Sequence, residues 1–347
     1  MGSARSRLRA VAEELYPGYF AFVMATGIIS TATGVLGVDL VANALFAINL
    51  VAYPALWALT LARACWFPGR VRRELTSHTT GGAYFTSVAA TCLVGSQIAV
   101  LTPAYPLAIA LWGLAWILWA GLMYTFMAAV TLRQNKPSLA AGINGTWLLL
   151  VVSTESLSVL GSVIATYFPP EPRTVLFAAL CTFLLGCMLY VLIIALIFYR
   201  WTFLPMTPTG LAPPYWINMG ALAITALAGS RLVVLAGQWD FLRLLVPFVA
   251  GLALLFWVFG TWWIPLLVVV GVWRHAYKRL PLAYDPQYWG MVFPIGMYAA
   301  GTLLLAEATG LWFLHALAVG FAALACAAWS VAVVAFGRQV VRGLRAT

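Results

Sequence analysis

The chain has 347 residues, of which 64% are hydrophobic and 8% charged, with a mean hydropathy of +0.97 and a formal net charge of +10. No soluble domain of this length buries so much apolar surface, so the composition excludes a soluble enzyme and places the chain in a bilayer. The positive charge is not a nucleic-acid signal, because the basic residues sit in short loops between apolar runs rather than on one polar face.

Residues 1–14 are basic and polar (Arg5, Arg7, Arg9, Glu13, Glu14) and read as a cytoplasmic tail or interfacial helix. Ten apolar runs follow, at 16–36, 40–62, 83–102, 105–131, 145–168, 174–199, 214–236, 243–272, 288–308 and 311–336. Each is long enough to cross about 30 Å of hydrocarbon. The expected organisation is an all-α integral membrane protein with a ten-helix domain over 15–337 and a cytoplasmic tail over 338–347. No small-residue cleavage site follows the first run, so it is expected to act as an uncleaved targeting signal.

Loop charges set the orientation. All of the 19 basic residues except Arg173, Arg231 and Arg243 fall in the termini or in the loops after even-numbered runs. The positive-inside rule then puts both termini in the cytoplasm, in a cell membrane.

The odd runs open alike: Tyr19-Phe20, Tyr84-Phe85, Trp147, Tyr215-Trp216 and Tyr288-Trp289. With Phe20, Phe85, Trp147, Trp216 and Trp289 in register, the seventh residue onward is Gly27, Cys92, Thr154, Ala223 or Gly296, all small. Offsets 0, 4, 7, 8 and 11 share one helical face. This predicts five helical hairpins, with the odd helices ringed inside the even ones around a central pore. The competing explanation is that small residues only permit close helix packing.

The ninth run carries the most unusual stretch, Tyr288 to Tyr298. Pro294 kinks a helix, Gly290 and Gly296 thin it, and Phe293 sits beside the proline at offset 4. That ring is either a pore gate, closing a narrow bore by bulk and by excluding water, or an ordinary packed aromatic. Glu155, at offset 8 and mid-membrane, suits a proton-coupled step or a structural hydrogen bond, since ionisable groups at that depth are costly. Arg231 and Glu307 are close in depth and read as an ion pair or as charge at the outer mouth. Thr26, Ser30, Ser96, Thr154 and Ser158 are candidate pore-lining hydroxyls, with backbone carbonyls as competing partners.

His78, His275 and His315 lack metal spacing, and the five cysteines form no CxxC pair, so they read as small apolar packers with no metal and no cofactor. No phosphate loop, GxSxG or HExxH appears, so an ATP-driven pump or an intramembrane enzyme lacks its catalytic groups.

Three stretches, Tyr16-Pro-Gly-Tyr-Phe-Ala-Phe-Val-Met-Ala-Thr-Gly27, Phe256 to His275 and Trp289-Gly-Met-Val-Phe-Pro-Ile-Gly-Met-Tyr298, resemble the tellurite-resistance/dicarboxylate transporter family. That family includes plant guard-cell slow anion channels, malate permeases and sulfite exporters. The resemblance implies homotrimers with one pore per subunit. It also implies that Phe293 matches the phenylalanine on the ninth helix that occludes the pore. The function expected is ATP-independent movement of inorganic or carboxylate anions; proton-coupled C4-dicarboxylate transport or sulfite export is the alternative, and a membrane scaffold a third.

Overall fold

The computed structural model describes residues 2–168 and 171–345; Met1 and residues 346–347 of the expected tails lie outside it. The described residues hold ten helices long and apolar enough to span a membrane. They are α1 Pro17–Val35, α2 Asp39–Trp66, α3 Gly81–Leu101, α4 Tyr105–Leu132, α5 Gly145–Tyr167, α6 Pro172–Phe203, α7 Pro213–Val234, α8 Val246–Tyr277, α9 Pro286–Thr309 and α10 Leu314–Arg342. The last helix continues to Arg345, through residues expected as a tail, because no breaker stronger than Gly337 interrupts it.

Burial divides the helices into two sets. The odd helices are 72–100% buried over their apolar windows, whereas the even ones are 17–50% buried. Each odd helix packs on the next, α1 on α3, α3 on α5, α5 on α7, α7 on α9 and α9 back on α1, closing an inner ring. Each even helix packs on the odd helix before it, outside that ring. The even helices present exposed apolar side chains such as Leu50, Ile117, Leu192, Leu255 and Val331, as lipid requires.

Every inner helix opens with a 3-10 turn: Pro17–Tyr19, Gly81–Phe85, Gly145–Leu148, Pro213–Trp216 and Pro286–Tyr288. Proline at the first position costs no hydrogen bond, because that N–H has no helical partner. These turns form a second closed ring at the basic end of the molecule. Glycine is required where the turns cross: a Cβ on Gly145 would overlap the Pro214 carbonyl oxygen.

Tyrosine and tryptophan side chains clasp the two rings together. Tyr53 of α2 shares a hydrogen bond with Thr91 of α3 (2.8 Å), and Trp119 of α4 donates to Thr154 of α5 (2.8 Å). Tyr190 of α6 donates to Asn218 of α7 (2.6 Å), and Trp257 of α8 to Thr302 of α9 (2.8 Å). Trp329 of α10 donates to Thr26 of α1 (2.9 Å), so each outer helix grips the inner helix that follows it and the series closes on itself. Such intramembrane bonds contribute about 0.6–2 kcal/mol each.

At the basic end, the N-terminal helix Gly2–Glu14 and the surface helix Pro68–Leu75 are joined through Arg70. Glu74 bridges the buried Arg63 (2.8 Å) and Arg70 (3.2 Å), and Arg70 reaches Glu13 (3.5 Å). Burial raises the Glu74 carboxyl, but the hydrogen bonds and charge of Arg63, with Arg70 and Tyr84, outweigh it and hold the group below its ordinary value.

Candidate functional site

Three cavities lie in series along the axis of the inner ring. A vestibule of about 280 Å³ opens at the basic end, bordered by Thr79, Asn144, Arg200, Tyr215 and Gln287. It shares Tyr16, Thr146, Pro214 and Gln287 with a throat of about 20 Å³. Beyond the throat, a cavity of about 520 Å³ runs toward the opposite end and draws lining residues from all five inner helices.

Phe293 borders both the throat and the large cavity, and it stands alone in doing so. It is 2% exposed, yet no other ring packs against it among the described residues. Its neighbour Pro294 is seated on Gly220 of α7, where a Cβ would approach Pro294 Cγ to 2.8 Å and Cα to 3.2 Å. The closeness of α7 therefore holds the α9 backbone beside the ring. Met24 of α1 faces the throat, at the offset that Phe293 occupies on α9.

The lining face follows offsets 4, 8, 11 and 15: Ile28, Thr31 and Val35 on α1; Ala89, Leu93, Ser96 and Val100 on α3; Ile224, Leu227 and Arg231 on α7; Phe293, Met297, Ala300 and Leu304 on α9. The small residues at offset 7 mostly serve packing. A Cβ on Gly27 would meet Leu93 at 2.6 Å, and one on Gly296 would meet Ile28 at 2.9 Å.

Helix α5 is the exception, and its lining residues, Ser156, Val159 and Val163, fall one position later. The repeat is anchored there by fully buried Leu148, not by Trp147, whose indole donates to the His78 carbonyl in the loop below. One residue is about 100° of helix rotation. The slip turns Glu155 off the axis. Glu155 is buried against α6, where a Cβ on Gly186 would overlap its carboxylate, with Thr225 of α7 beside it.

The expected lining hydroxyls divide. Ser96 borders the large cavity. Thr26 and Thr154 accept the outer-ring indoles instead, Ser30 donates to the Ala42 carbonyl (2.7 Å), and Ser158 is buried without a partner. Thr31 and Ser156 also border the cavity. Arg231 and Glu307 line the same cavity but form no ion pair with each other; the Arg231 Nε donates to Ser162 (3.3 Å).

The electrostatics are asymmetric. All five inner helices run from the basic end, so their N-termini and positive dipole ends converge on the vestibule. Arg200 borders it, donating to the Ile143 carbonyl and to Tyr215 Oη (2.7 Å). Burial and the charges of Arg133 and Lys136 push the nearby His78 imidazole down. Among the described residues, no group of His, Cys, Asp and Glu side chains is disposed to hold a metal, and all five cysteines are free.

Residues 14–336 match the model of the SLAC1 family, described as voltage-dependent anion channels. The chain is 25% identical over 306 residues to an uncharacterized transporter of Methanocaldococcus jannaschii, covering 85% of this chain and 84% of that protein. It is 40% identical over 147 residues to an uncharacterized membrane protein of Mycobacterium tuberculosis, covering 42% and 74%. It is 21% identical over 335 residues to the sulfite efflux pump SSU1 of Trichophyton rubrum, covering 90% and 88%.

Proposed function

The chain belongs to the SLAC1 family of anion channels, and from that premise we propose that it conducts small anions along the axis of its inner helix ring, with Phe293 as the gate. One observation carries this: the cavities above and below meet at a single side chain, Phe293. A throat of about 20 Å³ seats about one water, too little for a hydrated anion. The five converging N-termini and the basic loops favour anions over cations. Passage is downhill or driven by a coupled gradient.

We place the basic end in the cytoplasm and the chain in the cell membrane, on the loop charges. Because the ring closes within one chain, a trimer would carry one pathway per subunit. Sulfite export is a second reading, favoured by the relative named as a sulfite efflux pump, whose match covers 90% of this chain. Proton coupling through Glu155 lacks geometric support, since that carboxyl faces α6 rather than the cavities.

The test is flux of chloride, nitrate, sulfite and malate into liposomes bearing the purified protein or Phe293→Ala, with and without a pH gradient. Flux that rises with the variant supports the gated pathway. Equal flux through both proteins refutes the gate, and absence of flux from both refutes the pathway.

A further inference from the structure

Arg231 is a charged side chain in the membrane-spanning region that the pathway so far leaves without a role. It stands at offset 15 of α7, about 16 Å beyond Phe293 along the axis, on the wall of the large cavity. It belongs to none of the ion pairs among the described residues. Ser162 of α5 fixes its Nε (3.3 Å), which orients the guanidinium while its two terminal nitrogens keep no hydrogen bond among the described residues. Glu307 acts on it through space without forming an ion pair, so this cation at membrane depth still has donors to offer a partner.

Two other groups on this wall, the Trp312 indole and the neutral His315 imidazole, each offer a single ring N–H. Thr31, Ser96 and Ser156 spend their hydroxyl protons on the carbonyls of Gly27, Cys92 and Val152 in their own helices. The guanidinium fork is therefore the wall's free multiple donor. A planar fork matches two oxygens on one face of an anion and gains little from a sphere.

We propose that Arg231 makes the large cavity an oxyanion site, which binds sulfite- or carboxylate-type groups in preference to halide. Glu307, on the same cavity, opposes the bound charge and keeps the hold weak enough for release, as conduction requires. This inference rests on the reading of the axis as an anion pathway and names the class of anion it takes.

The experiment measures anion-dependent thermal stabilisation of the detergent-purified protein by sulfite, malate and chloride at fixed ionic strength and pH. Flux is measured in parallel in the Phe293→Ala background. In the unmodified chain, sulfite and malate should act at concentrations about tenfold below chloride. Arg231→Lys keeps the charge and removes the fork, so it should abolish the preference while chloride is unchanged. Arg231→Gln should weaken all three, and Glu307→Gln should tighten the oxyanions. Equal effects of chloride and sulfite on the unmodified chain, or a preference that survives in Arg231→Lys, would overturn the proposal. Fork-dependent binding without flux would refute the pathway and keep the site; flux without fork-dependent preference would refute the site and keep the pathway.

Discussion

Truncating Phe293 to alanine tests the gate through a magnitude the geometry sets. The throat holds about 20 Å³ and the cavity beyond it about 520 Å³, with the ring between them. The throat seats about one water, so an anion keeping even a few waters of its hydration shell cannot pass while the ring stays in place. Passage then requires shedding the shell or displacing the ring, and pushing a side chain off its rotamer costs about 0.5–1.5 kcal/mol. Removing the ring removes that barrier, and 1.4 kcal/mol is about tenfold in rate. We expect Phe293→Ala to raise anion flux by about two- to tenfold in liposomes with matched incorporation. Because voids flank the ring, its loss should cost less stability than the roughly 3–5 kcal/mol of a fully packed phenylalanine. Phe85→Ala is the control: that ring is fully buried against Phe126, at 6.0 Å between centroids, and lines none of the three axial cavities. It should lower the melting temperature more and leave flux unchanged. Equal flux through Phe293→Ala and the unmodified protein would refute the reasoning.

Gly220→Ala should destabilise the protein by about 1–3 kcal/mol, because its Cβ meets Pro294 rather than a side chain free to swing away; thermal unfolding in detergent measures it. Thr154→Val leaves the Trp119 N–H unpaired and should cost about 1–2 kcal/mol with flux unaltered; a change in anion selectivity instead would return Thr154 to the pathway. Glu155→Gln should leave flux and its pH profile as they are, since the carboxyl is walled off against α6; loss of a pH dependence in the flux assay would contradict this. Glu74 has a depressed carboxyl, so its contribution is present above the unfolded carboxylate range and is lost as pH falls through its lower folded value. Melting temperature should therefore fall on acidification below about pH 4.5 in the unmodified protein, and a Glu74→Gln variant should lack that component and be less stable at neutral pH.

The hairpin count and the inside–outside alternation were legible because a bilayer leaves a chain few options. Apolar length marks the spans, and the small, polar-flecked odd helices differ visibly from the bulkier even ones. The proline beside Phe293 marked the one position that borders both the throat and the large cavity among the described residues. What failed was rotation about a single helix axis. Trp147 resembles the aromatics that open the other inner helices, but its indole is tied to the His78 carbonyl in the loop, and Leu148 holds the equivalent place. That slip promoted Glu155 and Thr154 to the axis and hid Ser156. Thr26 and Ser30 failed for another reason: on a helix buried on every side, a hydroxyl has several directions to satisfy itself, and here outer-ring indoles and hairpin carbonyls took them. The recurrence of threonine at 26, 91 and 154, each met by a tyrosine or tryptophan on an outer helix, was the available signal for the clasp. The relation of Arg231 to Glu307 depended on side-chain direction, which equal depth does not set.

The most direct test of the pathway is one labelling measurement. In a cysteine-free background, Ala300→Cys places a thiol on the wall of the large cavity. A membrane-impermeant anionic thiosulfonate is then applied from the face bearing the basic loops. The account predicts no labelling from that face while Phe293 is present and rapid labelling once it is alanine, with labelling from the opposite face in both. Labelling from the basic face at the same rate with and without the ring would contradict it.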